Sequence, residues 1–217
     1  MREHEIEPVP GLPERLPEGE NILWQGRPSW TTLAVDAFHV RAAALYCAIL
    51  IAWNAFLVIH DGGSIPRAAN VVLWPTVLSV GGIWLLGLLA WLNARSTLYT
   101  ITNRRIVMRF GVALPMTINL PFAQIAGAAL KVRRDDVGDI PVTTTGPDRI
   151  AYLHLWPHVR PWHYRTPQPM LRAIPEASEV AAILGRAVAT YDPKRIQLSD
   201  RPQEAAGEPA GLVAKAA

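Results

Sequence analysis

Two long runs of apolar residues, separated by a short stretch, constrain this chain more than any other feature of its sequence. The first run covers residues 42–59 and the second covers residues 71–92, and neither contains a charged side chain. A helix needs about 20 apolar residues to cross a hydrocarbon core about 30 Å thick. Soluble proteins rarely contain two such helices in succession. The sequence therefore predicts two transmembrane helices.

The distribution of basic residues around these runs predicts how they are oriented. The connecting segment, residues 60–70, holds a single arginine, Arg67, and no lysine. The outer flanks hold Arg27, Arg41, Arg95, Arg104, Arg105 and Arg109. Arginine-rich flanks stay in the cytoplasm during insertion. We therefore expect a multi-pass protein with both termini cytoplasmic and residues 60–70 in the periplasm. The arginines near the second run could also attract anionic headgroups, although setting the topology is their main predicted role.

A stripe of small residues on the first predicted span is a candidate helix-packing face. Ala44, Ala48 and Ala52 recur every four residues. Small side chains at this spacing let transmembrane helices approach closely. Asn54 could donate a hydrogen bond to another helix or serve local packing against the second span. The alternative for the stripe is chance spacing in an alanine-rich segment.

The segments before the first span are predicted to differ in order. Residues 1–19 are acidic and proline-rich, which predicts a flexible segment without a secretory signal. Residues 20–41 are predicted to lie at the membrane interface. From Ser29 onward one helical face is apolar, which is typical of a helix in the headgroup region. Its members are Trp30, Leu33, Ala34, Ala37 and Phe38.

The sequence after the second span changes to the alternating pattern of β-strands. Candidate strands cover residues 97–102, 105–110, 114–120, 125–133, 139–145 and 149–156. Strands at this spacing predict an antiparallel domain, here over residues 95–191. A closing helix is predicted with Pro175 at its first position and one apolar stripe. The stripe consists of Val180, Ile183, Leu184, Ala187, Val188 and Tyr191. Residues 192–217 are predicted to be disordered, and the fold class is an α+β membrane protein.

Candidate ligands for a metal or pigment are present but poorly arranged. His154, His158 and His163 surround prolines that break regular spacing, and His39 and His60 lie at the membrane edges. These histidines are interpreted as structural, and a pigment-ligand role is the alternative.

Other chemistry is equally poorly supported by the sequence. Asp135, Asp136 and Asp139 are interpreted as a turn rather than a cation site. Cys47 lies in an apolar run, and the net charge of +3 does not indicate nucleic acid binding. No catalytic motif is present, so we expect no enzyme activity, no metal and no cofactor.

Several motifs resemble those of the bacterial pleckstrin-homology-like (PH-like) domain family. They are the strand YTIT at residues 99–102, the basic turn NRR at 103–105, the strand IVMRFG at 106–111 and LPFAQI at 120–125. The lead-in ENILWQGRPS at residues 20–29 also matches. The resemblance covers residues 20–30 and 95–191. It implies an antiparallel PH-like β domain that binds other proteins.

A closer resemblance extends over nearly the whole chain. The opening EPVPGLP, the segment LPEGENILWQGRPSW, AFHVR before the first span and LHLWPHVRPWHYRTPQPMLRAIP are similar to the photosynthetic-complex assembly proteins of purple bacteria. This implies a non-enzymatic inner-membrane factor, acting as a homodimer, for assembly of the reaction centre with its core antenna.

The resulting hypothesis is a membrane-anchored scaffold whose helices contact transmembrane subunits of that complex. The candidate partner-contact loop consists of Trp156, His158, Arg160, Trp162 and His163. An alternative is a PH-like interaction module with a regulatory or stress role. A third possibility, pigment carriage, would require bound bacteriochlorophyll.

Overall fold

The structure is a computed structural model that describes residue 12, residues 15–145 and residues 151–191. Most of the N-terminal segment predicted to be flexible, and the whole predicted C-terminal tail, lie outside these residues. The helices are α1 Trp30–Asp36, α2 Val40–His60, α3 Ile65–Ser96, α4 Tyr152–Leu155 and α5 Ala177–Thr190. The strands are β1 Ile22–Gly26, β2 Leu98–Thr102, β3 Arg105–Phe110, β4 Met116–Pro121, β5 Ile125–Ala128, β6 Lys131–Val132, β7 Gly138–Thr144 and β8 Met170–Ile174.

Helices α2 and α3 pack against each other as an antiparallel pair joined by residues 61–64. Both are long and apolar enough to cross a membrane, and no residue of α2 is buried within the protein. Such exposure of large apolar side chains would be very unfavourable in water, because each exposed leucine or phenylalanine forfeits roughly 1.5–3 kcal/mol. By length and composition, the pair could therefore span a lipid bilayer.

The second long helix is longer than its predicted span. It begins at Ile65, so much of the predicted periplasmic segment is helical. The earlier start places Pro75 inside α3. A proline inside a helix leaves a carbonyl without its usual partner, but membrane helices tolerate this where neighbouring groups compensate. Here that carbonyl belongs to Val71, whereas the Thr76 hydroxyl donates to the Val72 carbonyl over 2.7 Å.

The β domain consists of two antiparallel sheets closed by α5. The first sheet has the order β1-β2-β3-β4, and the second is built on β7, which pairs with β5, β6 and β8. Buried side chains from both sheets form one core, into which α5 inserts Val180, Leu184 and Ala187. The predicted α+β class, with two apolar helices followed by an antiparallel PH-like domain and a closing helix, is confirmed.

Three local predictions in this domain are wrong. The segment predicted as a strand over residues 149–156 contains α4 instead, because Tyr152 and Leu155 face the core while Leu153 and His154 are exposed, which is a helical pattern. Strand β8 was not among the strands predicted from the sequence. Helix α5 begins at Ala177 after Glu176, whose φ of 55° is left-handed, so Pro175 lies before the helix.

The lead-in to β1 is fastened to the turn between β2 and β3. The Arg105 guanidinium donates two hydrogen bonds to the buried Glu20 carboxylate, over 2.8 and 3.1 Å. Asn103 and Arg104 donate to the carbonyls of Gly19 and Glu18. Since β2 rises about 3.3 Å per residue from the end of α3, this turn lies roughly 17 Å from that end. Arg104 and Arg105 are therefore separated from the end of α3 by the length of β2.

Candidate functional site

A buried histidine joins the end of α3 to the core of the β domain. His158 lies in the long segment between α4 and β8 and is fully buried. Its Nε2 lies 2.9 Å from Asn93 Oδ1 and 3.1 Å from the Thr97 hydroxyl. Its Nδ1 lies 2.6 Å from the Tyr99 hydroxyl. One imidazole therefore contacts the last turn of α3, the linking residue Thr97 and the start of β2.

The hydrogen-bond partners of His158 determine which of its ring nitrogens carries a proton. Asn93 Oδ1 can only accept, so His158 donates from Nε2, and Nδ1 then accepts from the Tyr99 hydroxyl. The Tyr99 oxygen in turn accepts from the backbone N–H of Arg172 over 3.2 Å. Burial, and secondarily the positive charge of Arg172, lower the pKa of His158 to about 3. The ring is therefore neutral at physiological pH.

Arg172 extends the same buried set toward α1. Its guanidinium donates to the Pro157 carbonyl over 3.0 Å and to the Asp36 carbonyl, at the end of α1, over 2.6 Å. Burial lowers the pKa of Arg172, but an arginine stays charged at neutral pH. We call His158, Asn93, Thr97, Tyr99 and Arg172 the junction network.

A second ion pair stabilises the same region. Arg133 binds the carboxylates of Asp36 and Asp139 over 2.5 and 2.6 Å. The other oxygen of Asp139 accepts from the Ala173 N–H over 2.9 Å. Asp139 is thus a structural partner, not part of a cation site. Within the described ranges, no group of three or more His, Cys, Asp or Glu side chains could hold a metal ion.

The junction network can hold an orientation but has no evident reaction chemistry. The histidine is neutral and fully enclosed, and the hydroxyl of Tyr99 has its pKa raised by burial. Two buried nitrogens in this region, Nε of Arg133 and Nε of Arg172, have no hydrogen-bond partner, whereas the ring and hydroxyl atoms around His158 are all paired. The paired groups fix the geometry between the elements that they join, because a displacement would leave buried polar groups unpaired. The network therefore couples α1, α3 and the β domain.

The structure buries one residue of the candidate partner-contact loop and leaves others exposed. His158 is buried, so it cannot contact a partner, and that part of the prediction is wrong. Trp156 is half-exposed and packs edge-on against Phe38, with ring centroids 5.2 Å apart. Arg160 donates to the Gln168 side chain, and His163 donates to the Pro161 carbonyl. Trp162 is 82 % exposed.

Three of the four candidate helix-packing residues are exposed. Ala44 is half-buried, whereas Ala48 and Ala52 are exposed. Asn54 is also exposed, and its amide donates to the Leu50 carbonyl of its own helix over 2.8 Å. The stripe is thus an uncovered surface of this chain.

Sequence reasoning missed most of the junction network. Two signals could have indicated it. Asn93 is the first polar residue after the second apolar run, and Arg172 is the one charged residue in the apolar strand MLRAI. A charge in a buried strand requires partners. The partners of Arg172 are supplied by residues up to 136 positions away in the sequence, so their identity depended on the fold.

The two antiparallel sheets and their closing helix form a PH-like domain that follows two candidate membrane spans. This chain belongs to the bacterial PH domain family, whose model matches residues 32–188. It is also 42 % identical, over 193 residues, to an uncharacterized 23.7 kDa protein in the puhA 5' region of Rhodobacter capsulatus; the match covers 86 % of this chain and 89 % of that relative. No solved structure matches.

The depressed pKa of His158 predicts a pH-dependent stability. As the pH falls below about 6.5, the unfolded histidine binds a proton before the folded one does, so stability is lost from about pH 6.5 down toward pH 3. Between pH 7 and pH 5 this contribution should fall by about 2 kcal/mol. Urea unfolding of the full chain in detergent at several pH values would measure it. A His158→Gln variant, which cannot titrate there, should lose this slope, and parallel curves for the two proteins would contradict the assignment.

Proposed function

We propose that this chain is a non-enzymatic assembly factor for the photosynthetic reaction centre and its core antenna, anchored in the bacterial inner membrane. The observation that carries the proposal is the relative in Rhodobacter capsulatus, which covers most of this chain and is described by its position in the puhA 5' region. A gene position beside puhA supports a role in photosynthesis. The resemblance to photosynthetic-complex assembly proteins noted from the sequence points to the same role.

The exposed surface of α2 supports contact with other transmembrane helices. One side of α2 packs on α3, and Ala48 and Ala52 lie exposed beside that contact. A smooth strip of small residues permits close helix approach, where packing rather than hydrophobicity drives association in lipid. We propose that this strip receives a helix of a reaction-centre or antenna subunit, and that a homodimer forms as well. Both termini are cytoplasmic in this proposal.

The junction network supports a scaffold rather than a flexible tether. Because His158 and Arg172 join the β domain to α3 and α1, the domain is held at a set angle to the helices. A partner docked on α2 would therefore meet the β domain in one position. A rigid two-part surface of this kind suits a protein that orients membrane subunits while they assemble.

Deleting the gene in a phototrophic host should strongly reduce the reaction-centre and core-antenna complex in membranes, measured by near-infrared absorbance. Wild-type protein should restore it. The double variant Ala48→Leu/Ala52→Leu should restore little, because two bulky side chains prevent close helix packing. Ala42→Leu is the matched control, since Ala42 is an exposed alanine of α2 outside the stripe.

Immunoblots should show equal amounts of the wild-type and variant proteins in the membrane fraction. Normal complex levels in the deletion strain would refute the assembly role and favour the regulatory or stress module. Full restoration by the double variant would refute the role of the stripe alone.

A further inference from the structure

The end of the β domain nearest the bilayer is defined by where α3 enters it. Only Thr97 separates α3 from β2, so Leu98 begins the sheet at this end. The Arg95 guanidinium lies 5.5 Å from the centroid of the Trp91 ring. Tryptophan and arginine together are typical of the layer between lipid tails and water. This end of the domain therefore starts at headgroup level.

The turn between β3 and β4 lies at the same end. Arg109 pairs with Leu98, and Phe110 pairs with Met116, so the turn of residues 111–115 projects past the start of β2. The turn carries Val112, 49 % exposed, and Leu114, 81 % exposed. Two exposed apolar side chains at a hairpin tip are unfavourable in water.

The loop after α4 reaches the same end from the other side. The His158 ring contacts both Asn93 at the end of α3 and Phe110 at the start of the hairpin turn, whose ring centroid is 5.0 Å away. Trp162 follows four residues later, so it lies within about 14 Å of His158. Trp162 and Tyr164 are both exposed, with ring centroids 6.3 Å apart.

We propose that these two tips, Val112–Leu114 and Trp162–Tyr164, enter the interfacial layer of the bilayer that α2 and α3 cross. The two tips are distant in sequence but both adjoin Phe110, because the first follows it directly and the second follows His158, whose ring contacts the Phe110 ring. Their side chains suit that layer, because tryptophan and tyrosine partition to it and leucine and valine reach the acyl chains. The exposed Arg165 beside Tyr164 would meet anionic headgroups.

Lipid fits this surface better than a protein partner does. If α3 crosses the bilayer, lipid always surrounds Trp91 and Arg95. The tips therefore need no ligand that has to diffuse to them. The two loops begin near Leu98 and Asn93, so a headgroup layer several ångströms thick lies within their reach. The inference rests on the membrane anchorage in the proposed function, but not on the photosynthetic role.

Environment-sensitive labels on the full chain would test this surface. In a Cys47→Ala background, single variants Leu114→Cys and Trp162→Cys would be labelled with the fluorophore NBD and reconstituted into vesicles of equimolar phosphatidylcholine and phosphatidylglycerol. Both labels should shift to shorter wavelength and lose most of their emission when brominated lipids are included. Glu18→Cys is the matched control at the far end of the domain, where its carbonyl binds Arg104. It should show neither change.

A label at Trp84→Cys, exposed in the middle of α3, separates the two ways in which the inference can fail. Quenching at Trp84→Cys together with water-like emission at both tips would overturn the loop insertion and leave the anchorage intact. Absence of quenching at Trp84→Cys would overturn the anchorage and the insertion together. Because the vesicles contain no other protein, quenching at the tips can come only from lipid. Tips that become shielded only after addition of partner membranes would instead indicate a protein contact.

Discussion

Replacing His158 with leucine should lower the free energy of unfolding of the β domain by about 3–5 kcal/mol. Leucine fills much of the space but neither donates nor accepts a hydrogen bond. Asn93, Thr97 and Tyr99 would each lose a contact in a site closed to water. An unpaired buried polar group costs about 1–3 kcal/mol. Urea unfolding of the full chain in detergent, followed by near-ultraviolet circular dichroism, would report this change because the apolar helices persist in the detergent.

His154→Leu is the control for this substitution. His154 is exposed and lies four residues away on α4, so its replacement should change the free energy of unfolding by no more than about 0.5 kcal/mol. If both variants unfold at the same urea concentration, His158 does not support the junction network. A His158→Gln variant should recover part of the loss at neutral pH, because the amide can still donate toward Asn93.

Replacing Arg172 with methionine should also cost about 3–5 kcal/mol. The guanidinium is the donor to the carbonyls of Pro157 and Asp36, and its positive charge faces the carboxylate of Asp139. Methionine would leave both carbonyls unpaired within the junction. Since one of them ends α1, amide hydrogen exchange across Trp30–Asp36 should accelerate more than exchange in β3. The melting temperature of the full chain would give the global effect.

Two further substitutions separate charge from geometry at this position. Arg186→Met removes an exposed arginine of α5 and should leave the melting temperature almost unchanged. Arg172→Lys retains the charge but lacks the planar fork that serves two carbonyls at once, so it should recover only part of the stability. Full recovery by lysine would show that charge alone matters. An unchanged exchange rate in α1 for Arg172→Met would contradict the coupling of α1 to the β domain.

The two substitutions together test how the β domain is held in position relative to α1 and α3. His158 binds the end of α3, and Arg172 binds the end of α1, through different parts of one buried set. Because the Arg172 guanidinium binds the carbonyl of Pro157, the residue next to His158, the two substitutions disturb the same segment and their effects should not be additive. A double variant that loses less than the sum of the two single losses would be the expected result.

Much of the architecture followed from composition and periodicity. The apolar runs predicted α2 and α3, and alternating residues predicted β3 over its full length. The amphipathic stripe predicted that α5 would close the domain. Periodicity gave the wrong result at α4, because four to eight residues ending in a proline fit a strand and a short helix equally well.

The candidate site was only partly accessible to sequence reasoning. Trp162 was singled out as an exposed loop residue, and it is exposed. His158 was assigned to the same surface, yet it is the most enclosed member of the loop. Nothing in the local sequence distinguishes the two residues, since both follow a proline within a polar and aromatic segment. Their separation arises from the path of the chain past α3.

The sequence alone determined which segments form the two long apolar helices and which form sheets, because local hydrophobicity and its period carry that information directly. Only the tertiary structure decided that His158 and Arg172 bind the ends of α3 and α1, and that the loop after α4 passes the ring of Phe110. These contacts join residues 65 and 136 positions apart. A buried polar group requires a partner, but its own sequence neighbourhood does not specify which one.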